Sequence, residues 1–321
     1  MPPDIEENHV RDPRRRTTLR KPFQVPRCKV SSVDHEGCTH FTAHRVEEAC
    51  YLGPMRFDGK VVLVSGAGSG IGRATAIGFA ERGAKVGVAD IDRERADAVA
   101  EEIGKVGGTA LAIAADAATP DGIEAMIAGT VRAFGGLDVL HNNAFGQPRL
   151  PTGQSRLAFL GDLDERVWIH TIELGLTGVF RAMKRAIPEL LARGGGAIVN
   201  TASISGLFAD FAIGAYNTAK AGVVNLTRVA AIEYASRGIR VNCVCPGAID
   251  TPLLRPSLSI PGFADETVRM IPMRRLGRPE EMAGVVMFLA SDLASYVTGA
   301  AVVADGGLTA QTGLPTRIPL P

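Results

Sequence analysis

The chain has 321 residues, of which 46% are hydrophobic and 21% charged, and its formal net charge is +1. A chain of this length can bury a large core, and a charge this close to zero gives no basic surplus for binding nucleic acid or an anionic membrane. No apolar run approaches the roughly 18 residues that cross a bilayer, and the N-terminus lacks the apolar core of a secretory signal. Five cysteines, an odd number without tight spacing, favour reduced thiols. We therefore expect a cytoplasmic globular protein with no nucleic-acid or membrane partner.

Residues 1–54 differ in composition from the rest of the chain. They contain three of the five cysteines, four of the six histidines and several prolines, without helical or strand periodicity. We expect a poorly ordered extension here. The alternative is a metal site, although the spacing of the candidate ligands fits no zinc pattern. Those candidates are Cys28, His35, Cys38, His40, His44 and Cys50.

From Met55 onward, short β-branched runs alternate with amphipathic segments of twelve or more residues. Strands are predicted at 61–65, 85–90, 109–116, 137–141, 197–203, 239–245 and 300–305. Helices are predicted at 71–82 and 93–105, from Pro120, over 164–192 and 215–236, and from Pro279. Alternation of this kind predicts an α/β fold with right-handed crossovers: a Rossmann-type, doubly wound parallel sheet of about seven strands with helices on both faces. We expect a single domain over residues 55–312, followed by a C-terminal tail at 313–321.

A glycine-rich turn connects the first predicted strand to the first predicted helix. Glycines there allow a sharp turn and close approach to a pyrophosphate, which the helix N-terminus stabilises through free amide donors and its dipole. The strand, turn, helix and second strand follow at the lengths of a dinucleotide-binding unit. The predicted contacts are Gly66, Gly68, Ser69, Gly70, Ile71 and Gly72.

Asp90 ends the second predicted strand, eighteen residues after Gly72. A carboxylate there can accept hydrogen bonds from both ribose hydroxyls of an adenosine. A 2′-phosphate would instead meet a like charge at about 4 Å, which costs up to roughly 4 kcal/mol near a surface. NAD is therefore the predicted cofactor, although Arg73 and Arg93 could soften the preference.

Further motifs give the sequence a family resemblance. Asn142-Asn143-Ala144 follows the fourth strand, and Ser203 precedes Tyr216 by thirteen residues, with Lys220 four residues later. Together with the glycine turn and the later segments Pro246-Gly247 and VTGAAVVADGG, these motifs resemble the short-chain dehydrogenase/reductase family over residues 57–308. The resemblance implies hydride transfer between NAD(H) and an alcohol or ketone.

The pair Tyr216 and Lys220 suits the proton transfer that accompanies hydride transfer. A phenol has a pKa of about 10, and a neighbouring cation favours its ionised form. Lys220 lies one helical turn from Tyr216 and supplies that cation, while the hydroxyl of Ser203 can bond the substrate oxygen. We predict Ser203, Tyr216 and Lys220 as the catalytic residues, with Ser205 as the nearby competitor of Ser203. The resemblance implies that Lys220 also bonds the nicotinamide ribose.

Other cofactor contacts are implied by the resemblance alone. Asp116, next to Ala117, would bond the adenine amine, and Asn142 would lie beside the adenosine ribose. Ile249 and Thr251, which follow Pro246 and Gly247, would contact the nicotinamide carboxamide. Apart from the segment before residue 55, no metal site is predicted.

Two positions depart from the family pattern. Gly175 stands where an asparagine is usual, and its carbonyl would hold a water connected to the lysine. Phe145 stands where a glycine is usual after Asn142-Asn143-Ala144, and its ring could reshape the cofactor pocket or form a wall of the substrate pocket. These departures leave open a dinucleotide-binding relative with lost or altered turnover.

The segment near 252–272 has the position of the family's substrate lid. Its apolar residues, Leu253, Leu254, Leu258, Ile260 and Phe263, favour a hydrophobic secondary alcohol or ketone as the small-molecule substrate. An NADPH-dependent ketoreductase is the alternative among enzymes. A homotetramer or dimer is expected from apolar residues on more than one helix face, namely Val179, Phe180, Val223, Val224 and Leu226.

Overall fold

The computed structural model describes residues 55–146 and 157–312. Across these residues, seven parallel strands form one sheet in the order β3-β2-β1-β4-β5-β6-β7, which confirms the predicted fold class. The strands are β1 Val61–Ser65, β2 Lys85–Asp90, β3 Thr109–Ala114, β4 Val139–Asn142, β5 Gly196–Thr201, β6 Ile239–Pro246 and β7 Ala301–Ala304.

Nine α-helices connect or follow these strands in the described ranges. They are α1 Gly70–Ala80, α2 Arg93–Lys105, α3 Pro120–Phe134, α4 Glu165–Ile172, α5 Gly178–Ala192, α6 Gly214–Tyr234, α7 Arg255–Leu258, α8 Phe263–Met270 and α9 Pro279–Ala290. The single helix predicted over 164–192 is divided, because a π-helical turn at Glu173–Thr177 separates α4 from α5. Such turns insert one extra residue per turn and are frequent at functional sites.

The sheet is covered on both faces, which explains the continuous apolar strands. All five residues of β1 are buried. Side chains from α1, α2 and α9 form the core on one face, and side chains from α3, α5 and α6 form it on the other. Strand order reverses beside β1, since β1 pairs with both β2 and β4. The crevice beyond the carboxyl ends of these strands is where ligands bind in such sheets.

The five apolar residues from which a homotetramer or dimer was expected fall into two groups. Val179, Val223 and Val224 are buried within the chain's own core, so their apolar character is explained by sheet packing. Phe180 is 47% exposed, and Leu226 is half-buried.

Within the described part of the chain, no helix combines the length and the apolar character needed to cross a membrane. The extension at 1–54 with its candidate metal ligands, the residues 147–156 and the C-terminal tail lie outside the described residues.

Candidate active site

The glycine turn forms a cradle at the N-terminus of α1. Gly66 has a φ of +63°, and a Cβ at Gly72 would overlap the carbonyl oxygen of Gly66. Ser69 precedes α1 without capping it through its side chain, so the first-turn amides of the helix keep the freedom to bond an anion. The turn therefore fits the pyrophosphate of a dinucleotide.

Asn143 holds this turn against β4. Its Nδ2 donates to the carbonyl oxygens of Ser65 and Gly66, each at 3.2 Å. The hydroxyl oxygen of Ser65 accepts from the main-chain amides of Asn143 at 3.0 Å and Ala144 at 3.1 Å. Sequence reasoning did not assign this role to Asn143, although its position directly after β4 placed it at the correct edge.

Asp90 is fixed by the main chain at the end of β2. One carboxylate oxygen accepts from the amide of Gly68 at 2.8 Å, and the other accepts from the amide of Asp92 at 3.0 Å. The carboxylate is thus part of the cradle and close to the glycine turn.

Asn142 ends β4, with its side chain turned into the interior of the protein. It is 4% exposed, and its Nδ2 donates to Oδ1 of Asn200 at 2.9 Å. Asn200 in turn donates to Thr227 Oγ1 at 2.9 Å. This amide network ties β4 to β5 and α6 in the interior, and the position of Asn142 beside the adenosine ribose stays a prediction that concerns its main chain.

Asp116 lies two residues beyond the end of β3, which is shorter than predicted. Its Oδ1 accepts from the amide of Ala118 at 2.9 Å, as expected of a turn after a strand. Ala117 also lies in this turn, where its carbonyl oxygen would overlap a Cβ at Gly178.

The loop after β6 contributes Thr251 to the cradle. A Cβ at Gly70 would lie 3.2 Å from Cγ2 of Thr251, so this side chain is next to the start of α1. Ile249 is 5% exposed and packs in the core, so only its main chain is available to contact the nicotinamide carboxamide. Pro246 ends β6, and a Cβ at Gly247 would lie 2.7 Å from Cβ of Asp305, so these two residues position the loop.

Ser203, Tyr216 and Lys220 meet at the same edge of the sheet. Ser203 lies two residues after β5, and the other two occupy the first two turns of α6. The ammonium nitrogen of Lys220 donates to the carbonyl oxygen of Thr201 at 2.8 Å and lies 5.7 Å from the centroid of the Tyr216 ring. The helix thus places both side chains on one face, as their spacing predicts.

Ser205 joins Ser203 to a carboxylate. The Ser203 hydroxyl donates to Ser205 Oγ at 3.0 Å, and the Ser205 hydroxyl donates to Asp210 Oδ2. The amide of Ser205 donates back to Ser203 Oγ at 3.1 Å. Ser205 therefore supports Ser203 and is committed to Asp210.

Burial dominates the electrostatics of the tyrosine and the lysine. It raises the pKa of Tyr216, which a hydrogen bond with Ser203 opposes and the charge of Asp210 reinforces. It also lowers the pKa of Lys220 to about 8. In the chain without a bound cofactor, loss of solvent thus opposes the acidic phenol expected from the neighbouring ammonium, and that acidity stays a prediction.

Phe145 packs among the candidate catalytic residues. Its ring is edge-to-face with Tyr216, with centroids 5.0 Å apart, and its centroid lies 5.0 Å from the Lys220 ammonium nitrogen. Gly175, at the centre of the π-helical turn, is buried against the same ring. Both departures from the family pattern are thus part of one contact.

Comparison with known proteins identifies the family. Residues 66–309 match a family model described as enoyl-(acyl carrier protein) reductase. The chain is 45% identical over 257 residues to a cyclohexanol dehydrogenase from Acinetobacter sp. (strain SE19), a match that covers 80% of this chain and 97% of that protein. The crystal structure of a short-chain type dehydrogenase/reductase from Mycobacterium marinum matches with a TM-score of 0.74 at 36% identity, covering 80% of this chain and 98% of that one. The chain belongs to the short-chain dehydrogenase/reductase family.

A second solved structure adds a ligand comparison within this family. A 7α-hydroxysteroid dehydrogenase in complex with NADH and 7-oxo glycochenodeoxycholic acid matches with a TM-score of 0.73 at 33% identity, covering 79% of this chain and 95% of that one. This short-chain dehydrogenase/reductase is therefore an oxidoreductase of a family that binds a nicotinamide dinucleotide.

Apolar side chains are exposed on the segments that flank the candidate catalytic residues. The rings of Phe159 and Phe211 meet edge-to-face with centroids 5.4 Å apart, and Ala158 forms a bridge with Ile213 shortly before Tyr216. The segment expected to form the family's lid contains the short helices α7 and α8. Its exposed apolar residues include Leu253, Ile260 and Phe263.

Proposed function

We propose that this enzyme transfers a hydride between NAD(H) and a hydrophobic secondary alcohol or ketone, and that a substrate in which the reacting carbon belongs to an aliphatic ring is preferred. The observation that carries the proposal is the placement of Ser203, Tyr216 and Lys220 together, at the sheet edge that also holds the glycine cradle. In the oxidation, the alcohol carbon loses a hydride with both electrons of its C–H bond, and the hydroxyl loses its proton. The ketone, the reduced cofactor and one proton are the products.

Each residue has a distinct task in this scheme. When bound, the cofactor supplies the hydride acceptor as NAD and the hydride donor as NADH. Tyr216 takes the proton from the substrate hydroxyl during oxidation and returns it during reduction. Ser203 bonds the substrate oxygen and orients it toward Tyr216, while the Lys220 ammonium favours the ionised phenol and bonds the nicotinamide ribose.

Asp90 supports NAD as the cofactor. Its carboxylate is held in place by two main-chain amides, so it cannot easily turn away from a 2′-phosphate. The two cations that could offset it have partners of their own, since Arg73 pairs with Glu102 at 2.6 Å and Arg93 pairs with Asp97 at 2.8 Å. NADPH dependence is the alternative that direct comparison of the two cofactors would reveal.

The preference for a ring substrate rests on the substrates for which similar proteins are named and on exposed apolar side chains of this chain. One relative is named for cyclohexanol, and the steroid dehydrogenase was solved with an oxo steroid. Apolar ring substrates suit the exposed apolar side chains of Phe159, Phe211 and the lid residue Phe263. We infer a lid at 252–272 that covers such a substrate.

Self-association and a cytoplasmic location are further parts of the proposal. Phe180 on α5 and Val229 and Ile232 on α6 expose large apolar side chains, with Ile232 81% exposed. Such residues favour a homotetramer or dimer, which sedimentation of the purified chain would measure. The cytoplasmic location rests on the odd number of cysteines and is tested by fractionation of cells that produce the protein.

The decisive experiment combines a substrate panel with one substitution. Cyclohexanol, cyclohexanone, linear secondary alcohols and oxo steroids are assayed by the absorbance of reduced nicotinamide with NAD(H) and with NADP(H). Tyr216→Phe should lower kcat by about 10²- to 10⁴-fold, the usual worth of acid–base catalysis, and leave the Kd for NADH within about threefold. Tyr234→Phe, at the end of the same helix, is the matched control and should keep full activity.

Three results would contradict the proposal. Unimpaired turnover by the Tyr216→Phe enzyme would reject the acid–base assignment, and a preference for NADPH would reject the assignment of NAD. Tight NADH binding without turnover of any panel member would favour the dinucleotide-binding relative without activity.

A further inference from the structure

Lys220 carries a buried charge with few partners. Its side chain is 3% exposed, and its nitrogen has one hydrogen bond among the described residues, to the carbonyl oxygen of Thr201. No ion pair of Lys220 occurs within that part of the chain. A buried ammonium without a carboxylate depends on other groups for its stability.

Two aromatic rings lie close to this ammonium. The nitrogen is 5.0 Å from the centroid of Phe145 and 5.7 Å from the centroid of Tyr216. Both distances are within the roughly 6 Å over which the negative face of a ring attracts a cation. The Tyr216 ring belongs to the proposed acid–base group, whereas the Phe145 ring has no part in the chemistry described so far.

Building on the proposed hydride transfer, we propose that Phe145 is a positioning residue. Its ring holds the Lys220 ammonium beside Tyr216 and offsets part of the free energy that the ammonium loses when it is removed from water. The ring is itself held in place. It meets Tyr216 edge-to-face at an interplanar angle of 69°, and its edge fills the space beside the Cα of Gly175. A glycine at 145, as is usual in the family, would offer the ammonium no such partner.

The other titratable groups that face this pair come from β6, β4 and the loop before α6. Cys243 and Cys245 on β6 interact electrostatically with Lys220. The hydrogen bond between the two thiols raises the pKa of Cys245 and lowers that of Cys243. His141 on β4 bonds the hydroxyl of Thr201 at 2.9 Å, and burial lowers its pKa to about 3, so it is neutral. The charge of Asp210, in the loop before α6, raises the pKa of Tyr216.

The test compares side chains of similar bulk with and without a ring. Phe145→Leu and Phe145→Met remove the ring, and Phe145→Tyr keeps it. In enzyme labelled with ¹³C at the lysine Cε carbons, the Lys220 resonance, assigned with Lys220→Met, is titrated by NMR. We expect the pKa of Lys220 to fall by about 0.4 to 1.5 units in both ring-free variants, which is the worth of a cation–π contact, and to stay within about 0.3 units in Phe145→Tyr.

The kinetic counterpart is the alkaline limb of kcat/KM for alcohol oxidation. It should move to lower pH by the same amount in the ring-free variants, whereas loss of packing alone would lower the whole profile without moving it. A Lys220 resonance that titrates as in the native chain after loss of the ring would overturn the inference. Because the NMR titration needs no substrate, it decides this point even if the native chain turns over no member of the panel. Failure of the panel alone would count against the proposed function.

Discussion

The ring of Phe145 occupies the space into which a side chain at Gly175 would project. A Cβ at Gly175 would lie 3.1 Å from Cε2 of Phe145 and 3.2 Å from Cβ of Ala219, closer than ordinary van der Waals contact. The two positions at which this chain departs from its family's pattern are therefore coupled by a direct contact, because the missing side chain at Gly175 makes room for the ring of Phe145.

This coupling predicts a non-additive pair of substitutions. Gly175→Asn should destabilise the chain by about 1 to 3 kcal/mol, because the new side chain overpacks the site against Phe145. Phe145→Gly should also destabilise it, since it leaves a cavity and a more flexible backbone. The double variant should be more stable than the sum of the two losses implies, by about 0.5 to 3 kcal/mol. Unfolding of all four proteins in urea measures this coupling.

The control for that experiment is Gly104→Asn. Gly104 lies in α2, where nothing is within 4 Å of the Cβ position, so asparagine there should be tolerated. Strict additivity of Gly175→Asn and Phe145→Gly would show that the contact has no energetic weight.

Asp90→Asn should weaken the discrimination against NADP. Asparagine keeps an oxygen that can accept from the amide of Gly68 and removes the charge that repels a 2′-phosphate. The ratio of kcat/KM for NAD to that for NADP should fall by at least about tenfold, and by up to about a thousandfold if the full repulsion of roughly 4 kcal/mol is lost. Asp92→Asn, two residues away, removes a charge at the start of α2 and should change the ratio far less. An unchanged ratio in Asp90→Asn would remove this carboxylate from cofactor selection.

Asn143→Ala should impair the cradle. It deletes the two hydrogen bonds to the carbonyl oxygens of Ser65 and Gly66, which leaves a loosened turn that must be reordered when the dinucleotide binds. We expect the Kd for NADH to rise by about 5- to 100-fold, corresponding to about 1 to 3 kcal/mol. Calorimetric titration measures the change, and Asn217→Ala, whose amide bonds the carbonyl of Asp210, serves as a control outside the cradle. Native-like NADH affinity in Asn143→Ala would mean that the turn is rigid without this amide.

The sequence predicted the sheet well because its strands have both faces buried. A continuous apolar run such as VVLVS, bounded by turn residues, is typical of a buried strand. The helices that begin at Arg93, Pro120 and Pro279 are marked in the sequence by capping residues or by proline. The break between α4 and α5 escaped prediction, because a π-helical turn keeps the apolar periodicity on both sides and is marked only by Gly175. The ends of β3 and β5 were placed two residues too far, since an alanine, Ala115 or Ala202, continues the apolar run after each strand ends.

Spacing located the site, but the orientation of its side chains depends on tertiary contacts. Tyr216 and Lys220 share a helix, so their proximity follows from four-residue spacing alone. Asn142 and Asn143 are adjacent at the end of a strand, and which of them faces the interior depends on whether Asn200 is there to receive an amide. The raised pKa of Tyr216 was also beyond prediction, since desolvation depends on packing from several elements.

His141 predicts how stability depends on pH. Its ring is fully buried on β4, with Nε2 bonded to Thr201 Oγ1 at 2.9 Å and Nδ1 without a partner among the described residues. Burial lowers its pKa from 6.5 to about 3, so between these values the unfolded chain binds a proton that the folded chain does not. The contribution of the neutral ring is therefore complete above about pH 6.5 and is lost as the pH falls toward 3, by about 2 kcal/mol between pH 7 and pH 5. Urea unfolding across this range should show a shallower decline for His141→Gln than for the native chain. Parallel curves for His141→Gln and the native chain would mean that His141 gains its proton in the folded state.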